Sequence, residues 1–254
     1  RVTLELGGKG PSIVLDDADL DMAVDGTIFG CMALAGQACE SGTRVLVSNK
    51  LHDEFVARVI KRLETLTVGD PLDPATDLGP LVSREQQERV LGYIEIGKQE
   101  GAKVEIGGGV PEGEFYEGGC FVAPTLLTGV TNDMRVAREE IFGPVMCVLR
   151  YDDVEEALAI ANDTEYGLSG GVWGTDEDRA LEVADRIEAG MVWINDWHVI
   201  ACGYPFGGCK QSGIGREIGP DALDEYTEAK FISIDRSGGR ENKAYALVLS
   251  TPPS

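Results

Sequence analysis

Histidine is almost missing from this sequence: His52 and His198 are the only two in 254 residues. So few imidazoles argue against a histidine-built metal cluster. The six cysteines, at 31, 39, 120, 147, 202 and 209, contain no CxxC pair and no regular spacing. That argues against a zinc site or a disulfide framework and for reduced, cytoplasmic thiols. No run approaches the ~20 apolar residues of a membrane span. The first residues carry no signal-peptide pattern. Basic residues are outnumbered two to one, with 22 Lys and Arg against 44 Asp and Glu, a net charge of −22. Such a surface repels phosphate, so nucleic acid and anionic membranes are poor partners. There is no internal repeat, no low-complexity segment and no P-loop. The glycine-rich stretch 107–119 lacks the Gly-Lys-Ser/Thr ending and reads as a surface loop. The glycines at 213, 215 and 219 do not have GxGxxG spacing, and no strand leads into them.

What remains is ordinary for a soluble globular protein: 43% hydrophobic and 26% charged residues, enough chain for one or two domains. Arg1–Leu6 and Pro11–Leu15 read as short strands, the first ending in Gly7-Gly8. A helix runs from Leu20 toward Gly36, with acids at 16, 17 and 19 near its start. Residues 43–48 are β-branched and apolar, a buried strand. Leu51, Phe55, Val59, Ile60 and Leu63 form a helical stripe. Ser83 with Gln86 resembles a capping box opening a helix to Glu100. Lys103–Ile106 reads as a strand. Pro124 breaks Phe121–Leu127, which is then at best an irregular or edge strand. Strand 145–149, helix 154–161, strand 170–173, a helix capped by Thr175 and ended by Gly190, and strand 191–194 follow. This alternation predicts an α/β layered domain with a largely parallel sheet. After Tyr226 the pattern changes, and Phe231–Asp235 alternates like a β tail able to pair with another subunit.

One short run stands at a junction of these elements: Gly36-Gln37-Ala38-Cys39, between the first long helix and strand 43–48. A junction can present a side chain into a cleft. An isolated cysteine is more often inert and buried. Glu5 is similarly out of place in a strand, and reads either as a solvated edge residue or as a carboxylate beside a cleft.

Four blocks together give a resemblance: Leu4-Glu5-Leu6-Gly7-Gly8-Lys9, Gly36-Gln37-Ala38-Cys39, Glu139-Glu140-Ile141-Phe142-Gly143-Pro144, and Pro205 through Glu217. In this order, across almost the whole chain, they resemble the aldehyde dehydrogenase superfamily. Members are roughly twice this length, so the chain looks like a C-terminal, catalytic half. The resemblance implies three regions: residues 1–7 as the end of a cofactor-binding domain, 8–225 as the catalytic domain, and 226–254 as an oligomerisation tail. It implies NAD or NADP as cofactor, a small aldehyde as substrate, and a homodimer or homotetramer in the complete protein.

By that resemblance Cys39 is the nucleophile. Its thiolate adds to the aldehyde carbon, hydride leaves to the nicotinamide, and a thioester remains. The tetrahedral oxyanion is stabilised in the family by the nucleophile's backbone N–H and by an asparagine from the front half. Glu5 is the general base for thioester hydrolysis, and it separates this branch from coenzyme-A-acylating relatives, which generally lack it. Glu140 matches the residue that accepts hydrogen bonds from the nicotinamide ribose. Phe142 matches an aromatic packed near the nicotinamide. The Leu6 backbone and Gln86 are further cofactor contacts, Glu217 belongs to proton handling, and Asn195 supports the cleft. Taken without the family, the pair 139–140 reads as solvated acids, Phe142 as core and Glu217 as helix surface. Two residues depart from the pattern. Leu34 stands where relatives commonly carry asparagine, and Glu40 puts a carboxylate beside the thiol, which raises the thiol's pKa if it points inward. A cofactor-independent thiol esterase using the same Cys39 and Glu5, and a catalytically silent protein of the same fold, are the other readings.

Overall fold

The computed structural model describes residues 1–249. Its elements in chain order are β1 (Leu4–Glu5), β2 (Pro11–Val14), α1 (Leu20–Met32), β3 (Arg44–Ser48), α2 (His52–Leu63), α3 (Arg84–Glu100), β4 (Lys103–Ile106) and β5 (Thr125–Thr128). Then come α4 (Arg135–Arg138), β6 (Val145–Tyr151), α5 (Val154–Asn162), β7 (Ser169–Trp173), α6 (Glu177–Asp185), β8 (Met191–Ile194), β9 (Gly213–Ile214) and α7 (Ala222–Glu225). Seven strands form one sheet in the order β4-β5-β6-β3-β2-β7-β8, parallel except for β4 against β5. The short β1 pairs antiparallel with β9 in a separate ribbon.

Both central strands are buried along their whole length, as expected where helices cover both faces of a parallel sheet. Alternation then assigns the faces. Val14, Val45 and Val47 pack with Val24 and Ile28 of α1 and Phe55 and Val59 of α2. Ile13, Leu15 and Leu46 point the other way, onto Leu158 of α5 and Val183 of α6. A third cluster gathers α3 and α4 on Leu127, Val145 and Cys147. Arg44 crosses beneath this core, fully buried. Its guanidinium donates to Ile160 O and Ala161 O at 2.8 Å and to Asn132 Oδ1 at 2.7 Å. The last turn of α5 has no basic residue of its own; Arg44 supplies the positive charge that a helix C-terminus favours, and anchors the start of β3.

Several sequence expectations need correction. β5 is not an edge strand: it lies between β4 and β6. Pro124 falls one residue before it, and the first ladder donor is Thr125, bonded to Pro144 O at 2.9 Å. The N-cap of α6 is Asp176, not Thr175; the Thr175 hydroxyl is taken by Asp17. That helix ends at Asp185, before the Gly190 expected to stop it. Ser83 does cap α3, but Gln86 does not close the box: its amide donates instead to Ile141 O and Phe142 O. The tail carries no strand among its described residues. Phe231, Ile232 and Ile234 are exposed, and Ala244–Leu247 is a 3₁₀ turn. Residues 250–254 of the expected 226–254 tail lie outside the described residues. No helix among the described residues is long and apolar enough to cross a membrane.

Candidate active site

The helix α1 cannot run straight into β3, and the turn between them is left-handed. Leu34, Ala35 and Gly36 have φ of 53°, 56° and 70°. Only glycine adopts this region freely; for leucine it costs roughly 1–2 kcal/mol, and asparagine suffers less. The departure at Leu34 is therefore one of backbone strain, on a side chain that points outward at 76% exposure. At Gly36 a Cβ would also lie 2.2 Å from Gly143 O, so the turn carrying the cysteine packs directly on the turn carrying Phe142. Gln37 locks it in place: its Nε2 donates to Leu34 O at 3.1 Å and its Oε1 accepts Val82 N–H at 2.9 Å.

Glu5 arrives from the other side. It pairs with Gly213 across the two-residue ribbon. Leu6 N–H donates to Ser212 O at 2.9 Å, and the buried Ser212 hydroxyl donates to Gly7 O at 2.7 Å while accepting from Gly167 N. The chain then turns so close to the Cys39 loop that a Cβ on Gly8 would sit 2.3 Å from Cys39 O. Glu5 thereby comes beside the half-buried Cys39 thiol, near enough for each group to shift the other's proton affinity. Glu5 Oε1 is buried with no hydrogen-bond partner in the chain.

The electrostatics are those of a carboxylate-rich cleft. Burial raises the Glu5 carboxyl above its ordinary value; the Cys39 hydrogen bond pulls against this, and the negative charges of Glu217, Glu40 and Glu140 add to it. The Cys39 thiol is raised by burial, by its hydrogen bond with Glu5 and by the charges of Glu40 and Glu5. In this resting arrangement it is a thiol rather than a thiolate. Glu40 points inward, which meets the condition for it to act on the thiol: Cys39 Sγ donates to Glu40 Oε2 at 3.4 Å.

Glu140 and Phe142 stand next to this pair. Glu140 Oε1 accepts Gly8 N–H at 3.0 Å, and its Oε2 lies against Gly7, where a Cβ would meet it at 2.7 Å. A nucleotide hydroxyl could use that second oxygen. Phe142 is held at φ 60°, a strained backbone for an aromatic residue, and Gln86 grips its carbonyl at 2.7 Å. Gln86 thus acts on the turn and has its amide nitrogen already engaged. The N–H of Leu6 is likewise taken. Glu217 is exposed; its backbone bridges to Phe206, and its charge reaches Glu5. Asn195 braces the cleft wall, donating to Gly174 O at 2.7 Å and accepting Gly174 N–H at 3.0 Å. Trp197 is core, 1% exposed, whereas Trp193, Phe206 and Tyr204 line an open groove of about 300 Å³.

His198 was not singled out by sequence. Its Nδ1 lies 3.0 Å from Glu40 Oε1, across 158 positions of chain. Its rarity was the one signal available, and rarity was used only to argue against a metal. Among the described residues no group of three His, Cys, Asp or Glu side chains could hold a metal ion.

Comparison with known proteins agrees with this geometry. The model of the aldehyde dehydrogenase family matches residues 1–232. The betaine aldehyde dehydrogenase of Sinorhizobium fredii is 52% identical over 234 residues, 92% of this chain and 48% of that protein. That of Agrobacterium fabrum is 52% identical over 245 residues, 96% of this chain and 49% of the relative. The crystal structure of Staphylococcus aureus betaine aldehyde dehydrogenase in complex with NAD+ superposes with a TM-score of 0.88 at 42% identity, covering 89% of this chain and 45% of that one. The chain therefore spans about half the length of the curated relatives it matches. With a family match across residues 1–232 and relatives 52% identical over more than nine-tenths of its length, this protein belongs to the aldehyde dehydrogenase family.

Proposed function

We propose that this chain carries the nucleophile and the general base of an NAD(P)-dependent enzyme that oxidises an aldehyde to a free carboxylic acid. The observation that carries the reading is the approach of Glu5 to the Cys39 thiol, enforced by the Gly8–Cys39 contact. Cys39, once ionised, adds to the aldehyde carbon and makes it tetrahedral. After oxidation the acyl group remains on sulfur as a thioester. Glu5, ionised, takes a proton from the attacking water and the acid departs. A nicotinamide, when bound, supplies the hydride acceptor. Glu140 Oε2 would hold its ribose and Phe142 would pack beside its ring. A quaternary-ammonium aldehyde is the first substrate to test, because the similar proteins are named for betaine aldehyde and the charges around Glu5 are all carboxylates.

The test is transient kinetics on the protein carrying this chain. Cys39→Ala and Cys39→Ser should abolish aldehyde-dependent NADH formation; turnover retained in both would sink the assignment. Glu5→Gln should keep a burst of about one NADH per site and slow the following steady rate by about 10²-fold or more. An unchanged steady rate would remove Glu5 as the base.

A further inference from the structure

Glu40 is the unusual residue of the site, and it is built in rather than tolerated. It is 8% exposed. Its carbonyl accepts from Ser169 Oγ at 2.8 Å and from the Trp197 indole at 3.0 Å. Its side chain spans two partners, the Cys39 thiol at 3.4 Å on one oxygen and His198 Nδ1 at 3.0 Å on the other. A buried carboxylate without partners would cost several kcal/mol; here both oxygens are occupied. His198 is as deliberately held. It sits at φ 60°, in a backbone region a histidine leaves unless the surroundings fix it. The ring packs edge-on against Phe29 at 5.2 Å between centroids, and its Nε2 is buried with no partner in the chain.

We propose that Glu40 and His198 are a positioning pair for the Cys39 thiol: His198 anchors the Glu40 carboxylate, and Glu40 holds the thiol's proton between turnovers so that Glu5 stays free to act on water. The proposal rests on Cys39 being the nucleophile of the function proposed above, and it adds a division of labour between the two carboxylates. The thiol faces Glu5 and Glu40. Glu40 faces Cys39 and His198. Glu5 feels Glu140 and Glu217 in addition. Against Glu40, burial works to raise its carboxyl, but the hydrogen bond from His198 and those from the backbone and the thiol outweigh it and leave it lowered. A carboxylate that stays ionised beside a thiol favours the protonated thiol.

The experiment follows alkylation of Cys39 by iodoacetamide as a function of pH, read by peptide mass spectrometry in the full chain. It needs neither aldehyde nor cofactor, so its failure is distinct from failure of the oxidation assay. Glu40→Gln should move the alkylation profile to lower pH, with Cys39 labelled about tenfold faster at pH 7.5 if thiol ionisation moves by one unit. His198→Phe should move the profile in the parent and leave it unmoved in Glu40→Gln, because histidine acts only through the carboxylate. Unshifted profiles in Glu40→Gln, or an equal effect of His198→Phe in both backgrounds, would overturn the proposal. A measurement on the unsubstituted protein guards against misfolded variants. With two histidines to assign, ¹⁵N-histidine NMR should show the His198 ring responding to capping of Cys39 while His52 does not. An unresponsive His198 would refute the pair.

Discussion

Glu5 works against its own surroundings. In its proposed role as base Glu5 must be ionised to accept a proton, yet burial and neighbouring carboxylates push it upward from its ordinary 4.5. The sign follows directly. Above the raised value Glu5 is a carboxylate and competent; as pH falls through it the base is lost. Thioester hydrolysis should therefore fail on an acidic limb lying above the usual glutamate range. Glu217→Gln removes one of the charges that raise Glu5, so that limb should move to lower pH. Steady-state rates measured from pH 5 to 8 in the two proteins check this, and coincident limbs would show that Glu217 does not reach Glu5. That Cys39, Glu5 and Glu140 would be neighbours was expected from the family resemblance, because each sits inside a block with glycines or prolines at fixed offsets, and the fold does bring the three together. His198 was not expected there, because its partner lies 158 residues away and nothing local to Trp197-His198-Val199 encodes that meeting.

The helix α1 carries the site at its C-terminal end, and its placement depends on two glycines one turn apart. Gly26 lies under Trp173, where a Cβ would come within 1.9 Å of the indole, and Gly30 under Trp197, where it would come within 2.8 Å. Both tryptophans are buried, 3% and 1% exposed, so neither ring can swing aside. Two effects compete in Gly26→Ala. Helix propensity favours alanine by about 1 kcal/mol, while overpacking a filled core costs typically 1–3 kcal/mol. At 1.9 Å the clash should win, for a net loss of about 1–2 kcal/mol by denaturant unfolding, together with slower alkylation of Cys39 as α1 is displaced. A stabilised variant would mean that the helix shifts freely. The strands and long helices were readable because their periodicity is local. Caps and edges were not. The Asp17 that takes the Thr175 hydroxyl comes from before α1, and β5 was demoted for a proline that lies just outside its ladder.

Across the whole molecule the exposed apolar side chains gather after α7. Tyr226, Phe231, Leu247 and Val248 are each at least 80% exposed. Large apolar side chains left this exposed are candidates for a contact face. The isolated chain should bind a hydrophobic dye such as ANS under native conditions and sediment as a concentration-dependent mixture. Removing residues 226–254 should abolish most dye binding while Cys39 alkylation persists; undiminished binding would place the sticky surface elsewhere. The tail's alternation was legible in the sequence, but its pairing was not, since no strand among the described residues answers it. Sheet order has a consequence of its own for synthesis on the ribosome. Of the seven strands of the large sheet, β2 and β3 come earliest in the chain and lie in its middle, while the neighbours that close their two outer edges, β7 and β6, end at residues 173 and 151. From the end of β3 at residue 48 to the end of β6 at residue 151, this wholly buried parallel pair has both outer edges open. A pause there would extend the time in which nascent chains can add to one another, so synonymous codon choice between residues 48 and 145 should govern the yield of folded protein more than codon choice anywhere later.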